Sequence, residues 1–114
     1  LKENKFTLIN FWASWCAPCR AEHKYLVSLY KNAKNLKLLG INFKDEKKNA
    51  KKFLNDYGNP FHYLAQDNVG KVSINFGVYG IPESILINNN LEIIKKFVVP
   101  LNKSEYESIL KITE

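Results

Sequence analysis

Nowhere in this 114-residue chain do more than fourteen residues, Phe6 to Cys19, pass without a charge, and that stretch contains Asn, Ser and Pro. A membrane-crossing helix needs about 20 apolar residues, so nothing in the sequence spans a bilayer. A signal peptide, internal repeats and a linker are also missing, and the first residue is not Met. The expectation is one domain over residues 1–114, cut from a longer protein whose N-terminal targeting or anchoring segment has been removed. Cysteine is scarce, at two, which excludes a disulfide framework. None is required, because a chain of this length buries roughly two thirds of the surface its unfolded form exposes. The hydrophobic share of 46% and charged share of 25% exclude disorder and fibrous repeats.

Acid is scarcer than base, with 11 Asp and Glu against 17 Lys and Arg, a net charge of +6. A positive field suits acidic partners, nucleic acid or an anionic membrane surface. The lysines, however, are strewn from Lys2 to Lys111, and clusters such as Lys47-Lys48 and Lys51-Lys52 fit a solvated helix face. No basic and aromatic recognition pattern accompanies them, so nucleic acid is not an expected partner.

The segment FTLINFWA, Phe6 to Ala13, is apolar without alternation, as a central strand covered on both faces should be. A helix is expected from Ala17, with Pro18 tolerated in its first turn and Leu26, Leu29, Tyr30 and Ala33 on its buried face. LKLLGINF, Leu36 to Phe43, reads as a second strand, parallel to the first through a right-handed crossover. Glu46 to Tyr57 reads as a helix with Ala50, Phe53, Leu54 and Tyr57 inward and Gly58 as its stop. A weaker helical turn is expected over Gly70 to Phe76. An antiparallel hairpin follows, turning at Asn88-Asn89-Asn90, residues that tolerate left-handed backbone. Ser104 to Thr113 closes as a helix capped by Asn102 or Ser104. The fold class is therefore α/β, a central four-stranded mixed sheet flanked by helices on both faces.

Both cysteines fall in NFWASWCAPCRAEH, two residues apart, where the first strand hands over to its helix. Backbone N–H groups at a helix start carry partial positive charge, which stabilises a thiolate at Cys16 and makes it the nucleophile. Cys19, one turn on and more buried, is close enough to attack a mixed disulfide and release the partner. A structural zinc site would need four ligands, and only His23 and His62 are available beside the pair. His23 reads as a polar helix position, and two inert core cysteines fit poorly with Trp15 and Pro18 around them. Redox chemistry is the expected function of the pair.

FWASWCAPC resembles the thioredoxin superfamily signature. WCAPCRAEH, GINFKDEKKNAKKFL, YGNPF and GVYGIPES together resemble the membrane-anchored thioredoxins of bacterial cytochrome c maturation, the CcmG or DsbE family, over nearly the whole chain. The resemblance implies a thioredoxin fold and no cofactor beyond a redox-active Cys16–Cys19 disulfide. It implies a dithiol that reduces apocytochrome c, or a haem-ligation partner, with electrons from a membrane thiol-disulfide carrier. It places the domain in the periplasm, anchored to the inner membrane, and a monomer is the simplest expectation. A broader reductase of the TlpA or ResA type is the nearest alternative, and a copper- or zinc-binding chaperone using Cys16, Cys19 and a histidine the more distant one.

Pro82 matches the family's cis-proline opposite the disulfide, with a plain turn as the alternative. Ile81 would then pair with an extended substrate strand, and Trp15, with Trp12, would pack around the site. Two positions depart from ordinary thioredoxins. Asn10 stands where those proteins have a buried aspartate, and Lys24 where a proline kinks the active-site helix. Glu22 and Glu83 match acidic residues that the CcmG family places near its disulfide. A carboxylate about 6 Å from Cys16, at an effective dielectric near 20, would disfavour the thiolate by up to roughly 2.8 kcal/mol. Because about 1.4 kcal/mol corresponds to about 30 mV in a two-electron couple, either acid could make the pair a stronger reductant. The alternative is two surface glutamates without redox effect.

Overall fold

Strand β1, Phe6–Trp12, is apolar on both faces because it runs through the middle of a five-stranded sheet and both faces are covered. The computed structural model describes residues 5–114. After β1 come α1 (Ala17–Asn32), β2 (Leu36–Phe43), α2 (Lys47–Tyr57), β3 (Tyr63–Asp67) and α3 (Lys71–Asn75), then β4 (Glu83–Asn88), β5 (Ile93–Phe97) and α4 (Lys103–Thr113). Across the sheet the order is β3-β2-β1-β4-β5. β1, β2 and β3 are parallel, while β4 runs antiparallel to both β1 and β5.

One face of the sheet, with Leu8 and Trp12 of β1 and Leu38 of β2, packs on Leu26 and Leu29 of α1, Phe53 of α2 and Ile109 of α4. The other face, with Ile9, Phe11, Ile41 and Ile85, is closed by Val78 in the segment after α3. Phe76 helps there, its ring 5.7 Å from that of Phe11. Three longer helices thus cover one face and the short α3 the other. Asp67 organises α3 by accepting the Val72 and Ser73 N–H groups and the Ser73 hydroxyl at 3.2, 2.7 and 2.7 Å.

The expected sheet of four strands gains a fifth. β3 lies at an edge with Tyr63 to Gln66 exposed and only Asp67 buried, so its five residues carry no alternation from which a strand could be read. In the hairpin the left-handed residue is Leu91, at φ 62°, rather than one of the three asparagines. Asn88 instead uses its side-chain oxygen to accept the N–H groups of Asn90 and Glu92. Tyr30 and Tyr57, expected to face inward, lie outside, while Leu26, Leu29, Ala50, Phe53 and Leu54 are buried as expected. Asn102 caps α4 in a capping box with Glu105.

Gly40 in β2 marks the tightest approach near the site. A Cβ there would stand 2.8 Å from the ring of Phe61, which is itself stacked on Trp12. Gly40→Ala should therefore destabilise the fold by about 1–3 kcal/mol through overpacking, read as a lower urea midpoint at unchanged slope.

Candidate redox site

Cys16 ends the connection from β1 and occupies the N-cap of α1, with extended backbone at φ −93° and ψ 109°. Its sulfur accepts the Cys19 backbone N–H at 3.2 Å, the contact through which a helix start stabilises negative charge on sulfur. Cys16 and Cys19 are joined as a disulfide, their Cα atoms 5.2 Å apart. Both are buried, Cys16 at 4% exposure and Cys19 at 2%. Across from them the Ile81–Pro82 peptide is cis, and the Ile81 carbonyl oxygen lies 3.8 Å from Cys16 Sγ. The structure thus brings Cys16, Cys19, Ile81 and Pro82 together, as expected.

Glu22 is not a surface residue: it is 1% exposed and lies one turn beyond Cys19 on α1. Its carboxylate accepts the side-chain N–H of Asn10 at 2.8 Å and the backbone N–H of Leu101 at 2.9 Å. Asn10 spends its other amide hydrogen on Ser84 Oγ at 2.9 Å, leaving Asn10 Oδ1 buried without a partner among the described residues. Asn10, which cannot act as a base, therefore holds an acid that can. Burial pushes the Glu22 pKa up from 4.5 to about 7, and the hydrogen bonds from Leu101 and Asn10 only partly oppose this.

Glu83 is also buried, at 6% exposure, directly after the cis-proline. It accepts the Tyr79 backbone N–H at 3.3 Å on one oxygen, and the other stands 3.5 Å from the Lys96 ammonium as an ion pair without hydrogen-bond geometry. The two tryptophans part company. Trp12 is in the core, stacked on Phe61 and tilted against Phe53 with ring centroids 5.5 Å apart in each case. Trp15 is 56% exposed and donates its indole N–H to the Lys44 carbonyl at 3.0 Å, so it stands on the rim instead of packing inward. Lys24 leaves α1 unbroken and lies over the Tyr25 ring.

His23 corrects a further expectation. It is buried, meets Phe53 edge-on at 4.9 Å and hydrogen-bonds the Gly58 carbonyl at 2.8 Å through Nε2. Burial lowers its pKa, and the Gly58 bond works the other way. The ring serves packing between α1 and the end of α2, with its Nε2 engaged by the Gly58 carbonyl.

One contributor escapes sequence reasoning altogether. Asp45, in the β2–α2 loop, accepts the Ser14 N–H at 2.7 Å and the Ser14 hydroxyl at 2.9 Å, and also the amides of Asn42 and Glu46. With the Trp15 bond to Lys44, it fastens the two residues before Cys16 to the neighbouring loop. The available signal was its place just beyond the carboxyl end of β2, beside that of β1, where open α/β sheets gather their chemistry.

The Redoxin family model matches residues 1–110. The chain is 46% identical over 98 residues to the thiol:disulfide interchange protein CycY of Rhizobium leguminosarum bv. viciae, a match spanning 86% of this chain and 52% of that protein. It is 38% identical over 111 residues to the thiol:disulfide interchange protein DsbE of Escherichia coli K12, spanning 97% of this chain and 59% of the relative. The chain thus spans little more than half the length of these curated relatives. The solution structure of a putative thioredoxin from Neisseria meningitidis superposes with a TM-score of 0.83 at 27% identity, over 97% of this chain and 75% of that one. The expected thioredoxin fold and the resemblance to DsbE-type proteins are both borne out.

Two measurements follow from this geometry. A carboxyl whose pKa is higher folded than unfolded lets the native state hold the extra proton between the two values, so Glu22 contributes stability at acidic pH that is lost as pH rises through about 7. Unfolding free energy should fall by on the order of 3 kcal/mol between pH 4.5 and pH 8 from this group, and in Glu22→Gln that portion of the slope should vanish in urea titrations. Asp45→Ala should free the Ser14 anchors and lower the thermal midpoint, followed by circular dichroism.

Proposed function

The chain belongs to the Redoxin family, and on that basis we propose that it is a protein thiol–disulfide oxidoreductase, the working domain of a periplasmic reductant in cytochrome c biogenesis. The observation that carries the reading is Cys16 at the N-cap of α1, its sulfur accepting the Cys19 N–H and facing the Ile81 carbonyl across the cis-proline.

In the reduced domain the Cys16 thiolate attacks one sulfur of a substrate disulfide. The substrate S–S bond breaks, a mixed disulfide forms at Cys16, and the other substrate sulfur leaves as a thiolate that takes a proton from water. Cys19 then loses its proton and attacks the Cys16 sulfur. The mixed disulfide breaks, the second substrate thiolate departs and is protonated, and the Cys16–Cys19 bond closes. The substrate gains two electrons and two protons, and an upstream membrane dithiol carrier restores them to the domain. Glu22, one turn from Cys19 and poised near neutrality, is the acceptor suited to the Cys19 proton. Glu83 holds the segment beside Pro82 through Tyr79 and Lys96, and Ile81 offers backbone to an extended partner, with the exposed Trp15 ring on the rim.

The partners in this reading are apocytochrome c or a haem-ligation protein, and the full-length protein is anchored to the inner membrane. The family resemblance supports these assignments. The test is reduction of a disulfide-bonded C-x-x-C-H peptide against an unrelated disulfide. Preference for the former supports the cytochrome assignment, equal rates favour a general reductase, and no exchange with either sinks the reading. Cys19→Ser should accumulate the peptide as a mixed disulfide on Cys16, visible by mass, whereas Cys16→Ser should capture none. The equilibrium potential should lie well below about −200 mV, since a couple near −120 mV would be an oxidant.

A further inference from the structure

Lys96 has no place in the chemistry so far, yet it touches the segment that meets Cys16 at two points. In the β4–β5 ladder it stands opposite Ile85, which sets it diagonal to Glu83 on the same face of the sheet, within reach for a long side chain. Its ammonium donates to the Gly77 carbonyl at 3.2 Å and pairs with Glu83 at 3.5 Å. Glu83 in turn accepts the Tyr79 N–H with its second oxygen. One lysine and one carboxylate thus close residues 77–83 at both ends, and Ile81 lies between them, its carbonyl 3.8 Å from Cys16 Sγ.

Little else holds the outer part of that segment. Tyr79 is 92% exposed, and a Cβ at Gly80 would meet nothing within 4 Å. Val78 and Pro82 are buried, so the turn hangs from two anchors with its tip in solvent. The Glu83 side chain is 7% exposed and that of Lys96 37%, so the pair is shielded on one side and screened less than a surface pair.

We propose that Lys96 is a positioning residue for disulfide exchange, clamping through Glu83 and Gly77 the segment that presents Ile81 beside Cys16. The clamp rests on the oxidoreductase reading. It matters for a substrate that must lie along Ile81 and is irrelevant to a small disulfide that needs only the sulfur.

The experiment measures exchange rates of the reduced domain with a disulfide-bonded peptide and with a small aromatic disulfide, for the unaltered chain, Lys96→Met, Lys96→Arg, Glu83→Gln and the Lys96→Met/Glu83→Gln double variant. Thermal melts confirm folding of each. Lys96→Met should lose about fivefold in kcat/KM for the peptide, the equivalent of one ordinary hydrogen bond, and keep its rate with the small disulfide. Lys96→Arg should recover most of the loss, and the double variant should be no slower than Glu83→Gln alone. An unchanged peptide rate in Lys96→Met, an equal fall with both disulfides, or full additivity with Glu83→Gln overturns the clamp while leaving the oxidoreductase reading intact. Failure of the unaltered chain to exchange with either disulfide overturns both.

Discussion

A carboxylate buried with hydrogen bonds but with no cation paired to it among the described residues is the constraint on which this site depends. Glu22 belongs to α1, Asn10 to β1 and Leu101 to the connection between β5 and α4, so its two bonds bind three parts of the chain at one point. Burying a full charge in this way is costly, and the cost appears as a carboxyl that stays protonated until pH reaches about 7. The bonds donated by Asn10 and Leu101 favour the ionised form, while the surrounding protein favours the neutral one. Burial outweighs the bonds, and the result is a group that gains or loses a proton near pH 7.

Placement of that group follows from helix geometry. Cys19, Glu22, His23, Leu26 and Leu29 occupy one stripe of α1, three residues apart except for the adjacent Glu22 and His23, and all are buried. Leu26 and Leu29 make the stripe hydrophobic. Glu22 and His23 share it because each has a specific partner inside, the Leu101 amide for one and the Gly58 carbonyl for the other. The N-cap position of Cys16 is set at the opposite end of the same stripe. A single helix thus carries the nucleophile, the resolving thiol and the acid in fixed relation.

What could be read from the residues divides along these lines. β1, α1 and β2 were legible because their hydrophobic spacing is unambiguous, and with them the position of the cysteine pair at a strand-to-helix junction. His23 reads as a polar helix position, and Glu22 as a surface residue only in the alternative, because residue type outweighs spacing: both fit the buried period, but their partners Leu101 and Gly58 lie far along the chain. Tyr30 and Tyr57 show the reverse error, apolar rings on the right period but at the outer margin of their helices. β3 was invisible because an exposed edge strand owes its form to the backbone of β2. Asp45 has no signature beyond its place after β2, since its meaning lies in Ser14, thirty-one residues away.

The two glutamates near the disulfide were first considered together, as negative charges that disfavour a thiolate. Their surroundings separate them. Glu83 faces the Lys96 ammonium, so at the sulfur its field is that of a pair, which falls off faster with distance than that of a lone charge. Its consequence is mainly mechanical, through the segment that carries Ile81. Glu22 has no such counter-charge among the described residues, and in the proposed mechanism its effect on the cysteines changes with its proton. Below about pH 7 it is neutral and leaves the helix start free to stabilise a Cys16 thiolate; above that it is charged and opposes one. In the proposed mechanism the proton that leaves Glu22 and the proton that leaves the dithiol are coupled, each harder to remove once the other has gone. A reductant of that kind would shed its protons in sequence, in an order governed by an acid that the core keeps out of water.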